Sequence, residues 1–287
     1  MIDQVYPVKR QVPLEGLYLG QRLQELAAET GRGLVLTDFL TDKNGVVAKA
    51  TEGAQFEIPA ALRNSSDWGR FQELMAQADV IISSGSYFKR LAKKGAQDIL
   101  YQFEPGGAFE AHGQWRLQAG HEKRSPDVAI VTRHLDFELP ERLRQSGRRI
   151  LIFTTDAMAN SERARAPGNA DVRILGSGEQ GVDGGRMISA LAGDFGYRVI
   201  MMASGPPVLQ LLLAANRLDL FYVTEARVEI PFDDPAAVQT MLSGGRKVAE
   251  LPEFQLAHQF VQEHVVTEDG SRISQSFLRY DAKDLHK

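Results

Sequence analysis

Short apolar runs alternate along this chain with amphipathic stretches of helical period. The apolar runs are rich in Val, Ile and Leu, which is typical of strands buried inside a sheet. The predicted strands lie at 33–40, 80–83, 127–132, 148–155, 171–175, 197–203 and 219–230. The predicted helices lie at 17–30, 65–79, 87–94, 140–146, 184–193 and 206–215. This alternation predicts an α/β fold in which helices cover both faces of a mostly parallel central sheet.

Turn residues predict two antiparallel connections as well. The strand-like runs at 253–266 and 271–280 flank "TEDG", whose Asp-Gly pair favours a tight hairpin turn. The strand at 33–40 is followed by the turn "TDKNG" and by a partner run, "VVAKA", at 46–50. The sequence therefore predicts that a C-terminal antiparallel hairpin completes the sheet.

The pattern shows no Pro/Ser-rich linker and no internal repeat, which favours a single domain over 1–287. Within that domain, 1–30 is interpreted as a helical extension. Residues 92–126 are rich in Gly, Lys and Gln and have weak periodicity, so they are interpreted as an irregular excursion.

Composition narrows the class of protein. The chain of 287 residues is 43% hydrophobic and 24% charged, within the range of ordinary globular proteins. Its net charge of −4 gives no bulk attraction to nucleic acid or to anionic membranes. The absence of cysteine excludes disulfides and thiolate metal sites, and the histidine spacing suggests no metal centre. We expect a cytoplasmic protein that acts on a small molecule and binds neither nucleic acid nor membrane.

A glycine triplet at Gly176, Gly178 and Gly181 has the G-x-G-x-x-G spacing of dinucleotide-binding folds. In those folds the last glycine lies in the first turn of a helix, against the pyrophosphate. Here "VDGG" intervenes before the helical pattern begins, with Asp183 as a cap, and the strand at 197–203 does not end in the required acidic residue. We interpret the triplet as a strand–helix loop. The alternative is a Rossmann dehydrogenase that uses it.

A better candidate for a phosphate-binding turn is "SGPP" at 204–207, between a strand and an apolar helix. Glycine allows close approach of the backbone, and proline suits the first turn of a helix. The N–H groups of Val208 and Leu209 are then predicted to face an anion.

Two other strand ends carry suitable polar groups. "SSGS" at 83–86 offers backbone and hydroxyl donors, although it is also a plain helix cap. Thr132 and Arg133 directly follow a buried strand and suit a phosphate monoester such as the 2′-phosphate of NADPH. The structural alternative for Arg133 is an ion pair with Asp136 or Glu138.

Taken in order, four segments resemble one family. "SGPPVLQLLLAANRLDLFYVTEA", "DWGRFQELMAQADVIISSGS", "VAIVTRHLDFELP" and "LTDKNGVVA" are similar to segments of the pyrimidine reductases of riboflavin biosynthesis. That family is the C-terminal reductase domain of the bifunctional deaminase–reductase and has a dihydrofolate-reductase-like fold. The zinc motif of the deaminase half is absent from this chain.

The resemblance implies roles for individual residues. The residues implied in NADPH binding are Ser83, Gly85, Ser86, Thr132, Arg133, Ser204, Gly205, Pro206 and Pro207. Thr41, Asn44 and Gly45 are implied to flank the nicotinamide and the substrate, with Thr41 and Asn44 as the catalytic candidates.

The resemblance also implies an activity, namely NADPH-dependent hydride transfer to a small, pyrimidine-like substrate, and a homodimer. The chain departs from the family pattern at Asn44, which replaces the turn aspartate, and at Ala203, which replaces an acidic residue. These departures keep an alternative open: a nucleotide-binding protein of the same fold with altered catalysis.

Overall fold

The computed structural model describes residues 1–51, 56–164 and 171–285. The chain divides into two compact units, each assembled from segments that are distant in sequence. Unit 1 comprises Met1–Gln21, Leu36–Glu73 and Leu218–Lys287, and unit 2 comprises Arg22–Val35 and Leu74–Arg217. The single domain inferred from the sequence stays a prediction.

The regular elements follow the alternation seen in the sequence. The strands are β1 (Ile2–Tyr6), β2 (Arg10–Val12), β3 (Leu34–Thr41), β4 (Val46–Ala50), β5 (Phe56–Glu57), β6 (Val80–Ser84), β7 (Asp127–Val131), β8 (Ile150–Thr154), β9 (Val172–Gly176), β10 (Val199–Met202), β11 (Leu220–Ala226), β12 (Val238–Thr240), β13 (Phe254–Val266) and β14 (Arg272–Ala282). The α-helices are α1 (Leu23–Thr30), α2 (Ser65–Gln77), α3 (Gly85–Ala92), α4 (Glu110–Gln118), α5 (Glu141–Arg144), α6 (Asp156–Ala159), α7 (Gly184–Ser189) and α8 (Pro206–Ala214). No helix in the described part of the chain is long and apolar enough to cross a membrane.

Unit 2 contains five parallel strands in the order β10-β6-β7-β8-β9. The centres of β10, β6, β7 and β8 are almost fully buried, as expected for parallel strands that are continuous apolar runs, whereas the edge strand β9 is partly exposed. Helices connect the strands, so that unit 2 is built from successive strand–helix units. This part of the predicted fold class is confirmed.

Unit 1 is mainly antiparallel, with the strand order β2-β1-β13-β14-β11-β3. Of these neighbours, β11 and β3 run parallel, and β13 and β14 form the predicted C-terminal hairpin. The hairpin turn contains Gly270 at φ +84°, and the backbone N–H of Thr267 donates to the carbonyl of Ser271. The predicted antiparallel completion of the sheet is therefore confirmed.

Two predictions for unit 1 are wrong. The extension over 1–30 is not helical throughout, because β1 and β2 form a hairpin whose first strand pairs with β13. The run 46–50 is a strand, but β4 pairs with β12 and β5 in a separate three-stranded sheet. One oxygen of the buried Asp42 carboxylate accepts the backbone N–H groups of Asn44 and Val46, and the other accepts that of Ile230, which ties the start of β4 to the segment that leads to β12.

The excursion over 92–126 contains a helix, α4, that weak periodicity did not reveal. Arg116 of this helix is buried and donates through Nη1 to the carbonyls of Ala76 and Ala78 at 2.8 and 2.6 Å. Burial lowers the pKa of Arg116 to about 10. The guanidinium thus fastens the excursion to the end of α2 within unit 2.

Candidate functional site

The order of strands in unit 2 reverses between β6 and β10. From β6 the chain adds β7, β8 and β9 in one direction, then returns to place β10 on the other side of β6. By the handedness rule, the helices that follow β6 and β10 are expected to leave the sheet in opposite directions, which makes the carboxyl ends of these two strands a topological switch point. In open α/β sheets this position is where ligands bind.

The three strand ends predicted to hold a nucleotide lie side by side at this edge. Met202 is in register with Ile82, and Ser84 is in register with Val131. The backbone N–H of Ala203 donates to the carbonyl of Ile82 at 2.9 Å. Neighbouring strands are about 5 Å apart, so the turns at 83–86, 132–133 and 204–207 line one edge within unit 2. The sequence prediction of their proximity agrees with this register.

The turn after β6 begins α3 at Gly85. The Ser84 hydroxyl accepts the N–H of Tyr87 as the helix cap, and it lies 2.9 Å from the Ser86 hydroxyl. A Cβ on Gly85 would lie 2.6 Å from Oγ1 of Thr132, so glycine is required for the tips of β6 and β7 to touch. Ser83 is fully buried, and its hydroxyl is not part of the exposed turn.

Arg133 at the tip of β7 is exposed and has no hydrogen bond or ion pair within residues 1–51, 56–164 and 171–285. Its predicted partner Asp136 instead binds Lys89 of α3, with Nζ and Oδ2 2.7 Å apart. The Lys89 ammonium lowers the pKa of the Asp136 carboxyl. Of the two acidic partners considered from the sequence, Asp136 is thus already engaged, and the Arg133 guanidinium extends from the strand end.

The turn after β10 differs from its prediction in one respect. The N–H groups of Val208 and Leu209 are not available to an anion, because both donate to the carbonyl of Gly205. Pro206 and Pro207 have no N–H, so the first turn of α8 presents no free donor of its own. A Cβ on Gly205 would meet only Cδ of Pro207 at 3.8 Å, so this tip is open to a close approach.

Unit 1 contains the other predicted residues, at the carboxyl end of β3. Thr41 is buried in register with Glu225 of β11, and both line a small pocket with Gly45 and Lys247. Nζ of Lys247 lies 2.7 Å from Oε2 of Glu225. Sequence reasoning missed this pair, because Glu225 lies in a long strand pattern and Lys247 in an irregular segment.

Asn44 is exposed rather than enclosed in that pocket. Its side chain hydrogen-bonds Glu229, which contributes with Lys43 to the lowered pKa of the Glu229 carboxyl, Lys43 having the larger effect. The neighbouring Asp42 accepts the backbone N–H groups of Asn44, Val46 and Ile230. The carboxylate of this turn is therefore occupied in holding the backbone.

The glycine triplet lies at β9, the edge strand of unit 2, away from the reversal of strand order. Gly178 has φ +138°, and its N–H donates to Oδ1 of Asp156 at 3.3 Å. The helix begins at Gly184 and is capped, as predicted, by Asp183, which accepts the N–H of Arg186. Two carboxylates thus surround the donors that a pyrophosphate would need, which favours the interpretation as a structural loop.

Of the two glycines at the start of α7, Gly184 is required by close packing and Gly185 is not. A Cβ on Gly184 would lie 2.4 Å from the carbonyl oxygen of Leu211 in α8, whereas a Cβ on Gly185 would meet nothing closer than Asp183 Oδ1 at 3.2 Å. Gly184→Ala is expected to lower the free energy of unfolding by about 1–3 kcal/mol, because the helices must move apart. The matched control, Gly185→Ala, should change it by less than about 1 kcal/mol. Urea unfolding of both variants tests this, and equal effects would contradict it.

The strand order and the polar tips define an α/β protein with a candidate ligand site at the sheet edge of unit 2. No protein-family model matches the chain, and no curated protein sequence matches it significantly. Solved structures do match it. A pyrimidine reductase-like protein of Corynebacterium diphtheriae is 17% identical, with 94% of this chain and 99% of that chain covered at a TM-score of 0.59.

Two riboflavin-biosynthesis proteins are similar as well. The Saccharomyces cerevisiae riboflavin biosynthesis reductase Rib7 is 15% identical, with 92% of this chain and 99% of that chain covered at a TM-score of 0.53. Acinetobacter baumannii RibD is 13% identical at a TM-score of 0.54, with 88% of this chain covered. This chain spans 59% of that RibD chain. The chain therefore has the fold of the riboflavin-biosynthesis pyrimidine reductases, and the resemblance found in the sequence is confirmed at the level of the fold.

Proposed function

We propose that this protein is an NADPH-dependent reductase that transfers a hydride to a small, pyrimidine-like molecule. The observation that carries the proposal is the alignment of three polar strand ends at the reversal of strand order in unit 2. Similarity in fold to reductases of pyrimidine substrates supports the reaction class.

The residues at this edge fit the anionic parts of a dinucleotide. The hydroxyls of Ser84 and Ser86 are hydrogen-bond donors for phosphate oxygens, and the open backbone at Gly205 permits close approach of a pyrophosphate. The exposed Arg133 guanidinium matches a phosphate monoester in charge and geometry. In this proposal Arg133 holds the 2′-phosphate and gives the preference for NADPH over NADH.

NADPH would supply the hydride, and the protein would supply binding, orientation and a proton source. The Thr41 hydroxyl, or water near it, is the proposed proton donor, and Gly45 lines the same small pocket. Carboxylates are absent at positions 44 and 203, so recognition of the substrate would depend on other polar groups of unit 1.

Titration of the purified protein with NADPH and NADH tests the proposal. Native protein should bind NADPH more tightly than NADH. Arg133→Ala should weaken NADPH binding about 10- to 100-fold, since one charge-assisted contact is worth about 1.5–3 kcal/mol, and should leave NADH binding within about 2-fold. Arg217→Ala, which removes an exposed arginine beyond the opposite end of α8, is the control and should leave both affinities unchanged.

Equal and weak binding of the two nucleotides by the native protein would contradict the proposal. Loss of NADPH binding in Gly178→Val, with none in Gly205→Val, would instead favour the Rossmann alternative at the glycine triplet.

A second candidate function is cofactor binding without hydride transfer. The observation that favours it is the engagement of Asp42 with three backbone N–H groups, which leaves the turn at 41–45 without a free carboxylate. Tight NADPH binding without oxidation of the bound nucleotide by any pyrimidine tested would distinguish it from the reductase.

A further inference from the structure

Unit 1 contains a polar cluster beneath α2 that the proposed cofactor site does not use. Asp38 of β3 and Asp67 of α2 face each other there, and Arg70 of α2 lies beside them. Oδ1 of Asp38, Oδ1 of Asp67 and Nε of Arg70 are buried without a hydrogen-bond partner in the described part of the chain. Arg70 itself is only 6% exposed. Such atoms are rare in folded proteins, and several in one place indicate groups suited to a further partner.

The aromatic ring of Tyr18 fills the space between this cluster and two other rings. Tyr18 is 1% exposed, and its ring centroid lies 4.9 Å from that of Tyr222 and 6.3 Å from that of Phe277. Burial, followed by the charge of Asp38, raises the pKa of the Tyr18 phenol well above its ordinary value. A single aromatic ring therefore occupies a slot with aromatic walls and a carboxylate end.

Tyr18 belongs to a segment that lies outside the strands of unit 1. This segment, residues 13–21 and here named the strap, is formed of turns and of a 3₁₀ helix at Leu19–Gln21. The backbone N–H groups of Gly16 and Tyr18 donate to the carboxylate of Glu73 at 2.7 and 2.8 Å. At the end of the strap, Oε1 of Gln21 accepts from Nη1 of Arg279 at 3.0 Å. The strap is thus held by side-chain hydrogen bonds and by the packing of Tyr18, and no residue of it belongs to a strand.

The strap also borders an open pocket. Pro13, Leu14 and Glu15 line a cavity of about 460 Å³ together with Ser65, Ser66 and Arg70 of α2. Because Arg70 belongs to both the cavity and the polar cluster, the cavity gives a route from solvent toward Asp67.

We propose that the slot filled by Tyr18 is a ligand site, that Asp38 and Asp67 are its recognition groups, and that the strap is a displaceable plug. The ligand class follows from charge and shape. Arg70 donates to the carboxylate of Glu73 and is paired with it, so a cationic ligand would supply the positive charge that Asp38 and Asp67 lack. Carboxylates bind paired N–H groups in a fork, which selects a planar single-ring cation such as an arylamidine or a protonated amino-heterocycle.

Benzamidine is a suitable probe, because its ring matches that of tyrosine and its amidinium takes the place of the phenol oxygen. By calorimetry, Tyr18→Ala should bind benzamidine at least 10-fold more tightly than the native chain does. Adding Asp67→Asn should reverse that gain, and benzamide, which is uncharged, should not bind. Tyr101→Ala, which truncates a half-buried tyrosine of unit 2, is the control and should behave as native.

A folded Tyr18→Ala protein with native affinity, or a gain that survives Asp67→Asn, would overturn the proposal. A measurement on the native chain covers the case in which the variant does not fold. Saturating benzamidine should accelerate hydrogen exchange at the amides of Gly16 and Tyr18 at least 10-fold, and unchanged exchange would also overturn the proposal. No nucleotide is used, so this test and that of the cofactor site fail independently.

Discussion

Glu73→Leu is expected to lower the free energy of unfolding by about 3–5 kcal/mol, the range for breaking a buried ion pair by removing one partner. Glu73 is 1% exposed and pairs with the nearly buried Arg70 at 2.5 Å. Its two oxygens also accept the backbone N–H groups of Gly16 and Tyr18. Leucine would leave the nearly buried Arg70 guanidinium and two backbone N–H groups without these acceptors.

Urea unfolding followed by tryptophan fluorescence measures the effect. Glu29→Leu, on the exposed side of α1, is the matched control and should remain within about 0.5 kcal/mol of native. A loss of less than about 1 kcal/mol in Glu73→Leu would show that the strap does not depend on this carboxylate.

The sequence predicts best those elements whose formation depends on residues that are close together in the chain. The strands of unit 2 are uninterrupted apolar runs, and the hairpin at β13 and β14 has an Asp-Gly turn between two long strand patterns. The proximity of the turns at 83–86, 132–133 and 204–207 was predictable as well, since parallel strands end at one edge of a sheet.

Pairing between strands that are far apart in the sequence is harder to predict from local patterns. The run 46–50 directly follows a strand and a turn, yet it pairs with β12, almost two hundred residues further along. The deciding contacts are those of Asp42, whose second oxygen accepts the N–H of Ile230 at 2.9 Å. A hydrogen bond to a residue so distant in sequence leaves no local pattern.

A sequence motif does not show whether the backbone N–H groups at the candidate site are free to bind a ligand. Pro206 and Pro207 were recognised as suitable for the first turn of α8, but the N–H groups after them bond to the Gly205 carbonyl. Tyr18 illustrates the same limit, because the sequence places it at the start of a predicted helix over 17–30 and gives no sign that it will be buried against Asp38 and Asp67.

Asp67→Asn is expected to make the protein more stable at pH 8 by up to about 3 kcal/mol and to change its stability little at pH 4. Burial raises the pKa of Asp67 from 3.8 to about 6, although the Thr224 hydroxyl and Arg70 oppose the shift. The folded state therefore holds this proton more tightly than the unfolded state does. The resulting stabilisation is complete below about pH 4 and is lost as the pH rises to about 6.

Asparagine is uncharged at every pH, as the protonated carboxyl is. The variant should therefore not lose stability through this position as the pH rises from about 4 to about 6. Asp38 also makes the folded protein less stable as the pH rises, because burial and the charge of Asp67 both raise its pKa. Part of the slope should thus persist in Asp67→Asn and disappear only in the double variant with Asp38→Asn. Urea midpoints between pH 4 and pH 8 measure this. If native protein and Asp67→Asn gave parallel curves, Asp67 would titrate near its ordinary pKa, and the folded state would not desolvate its carboxylate.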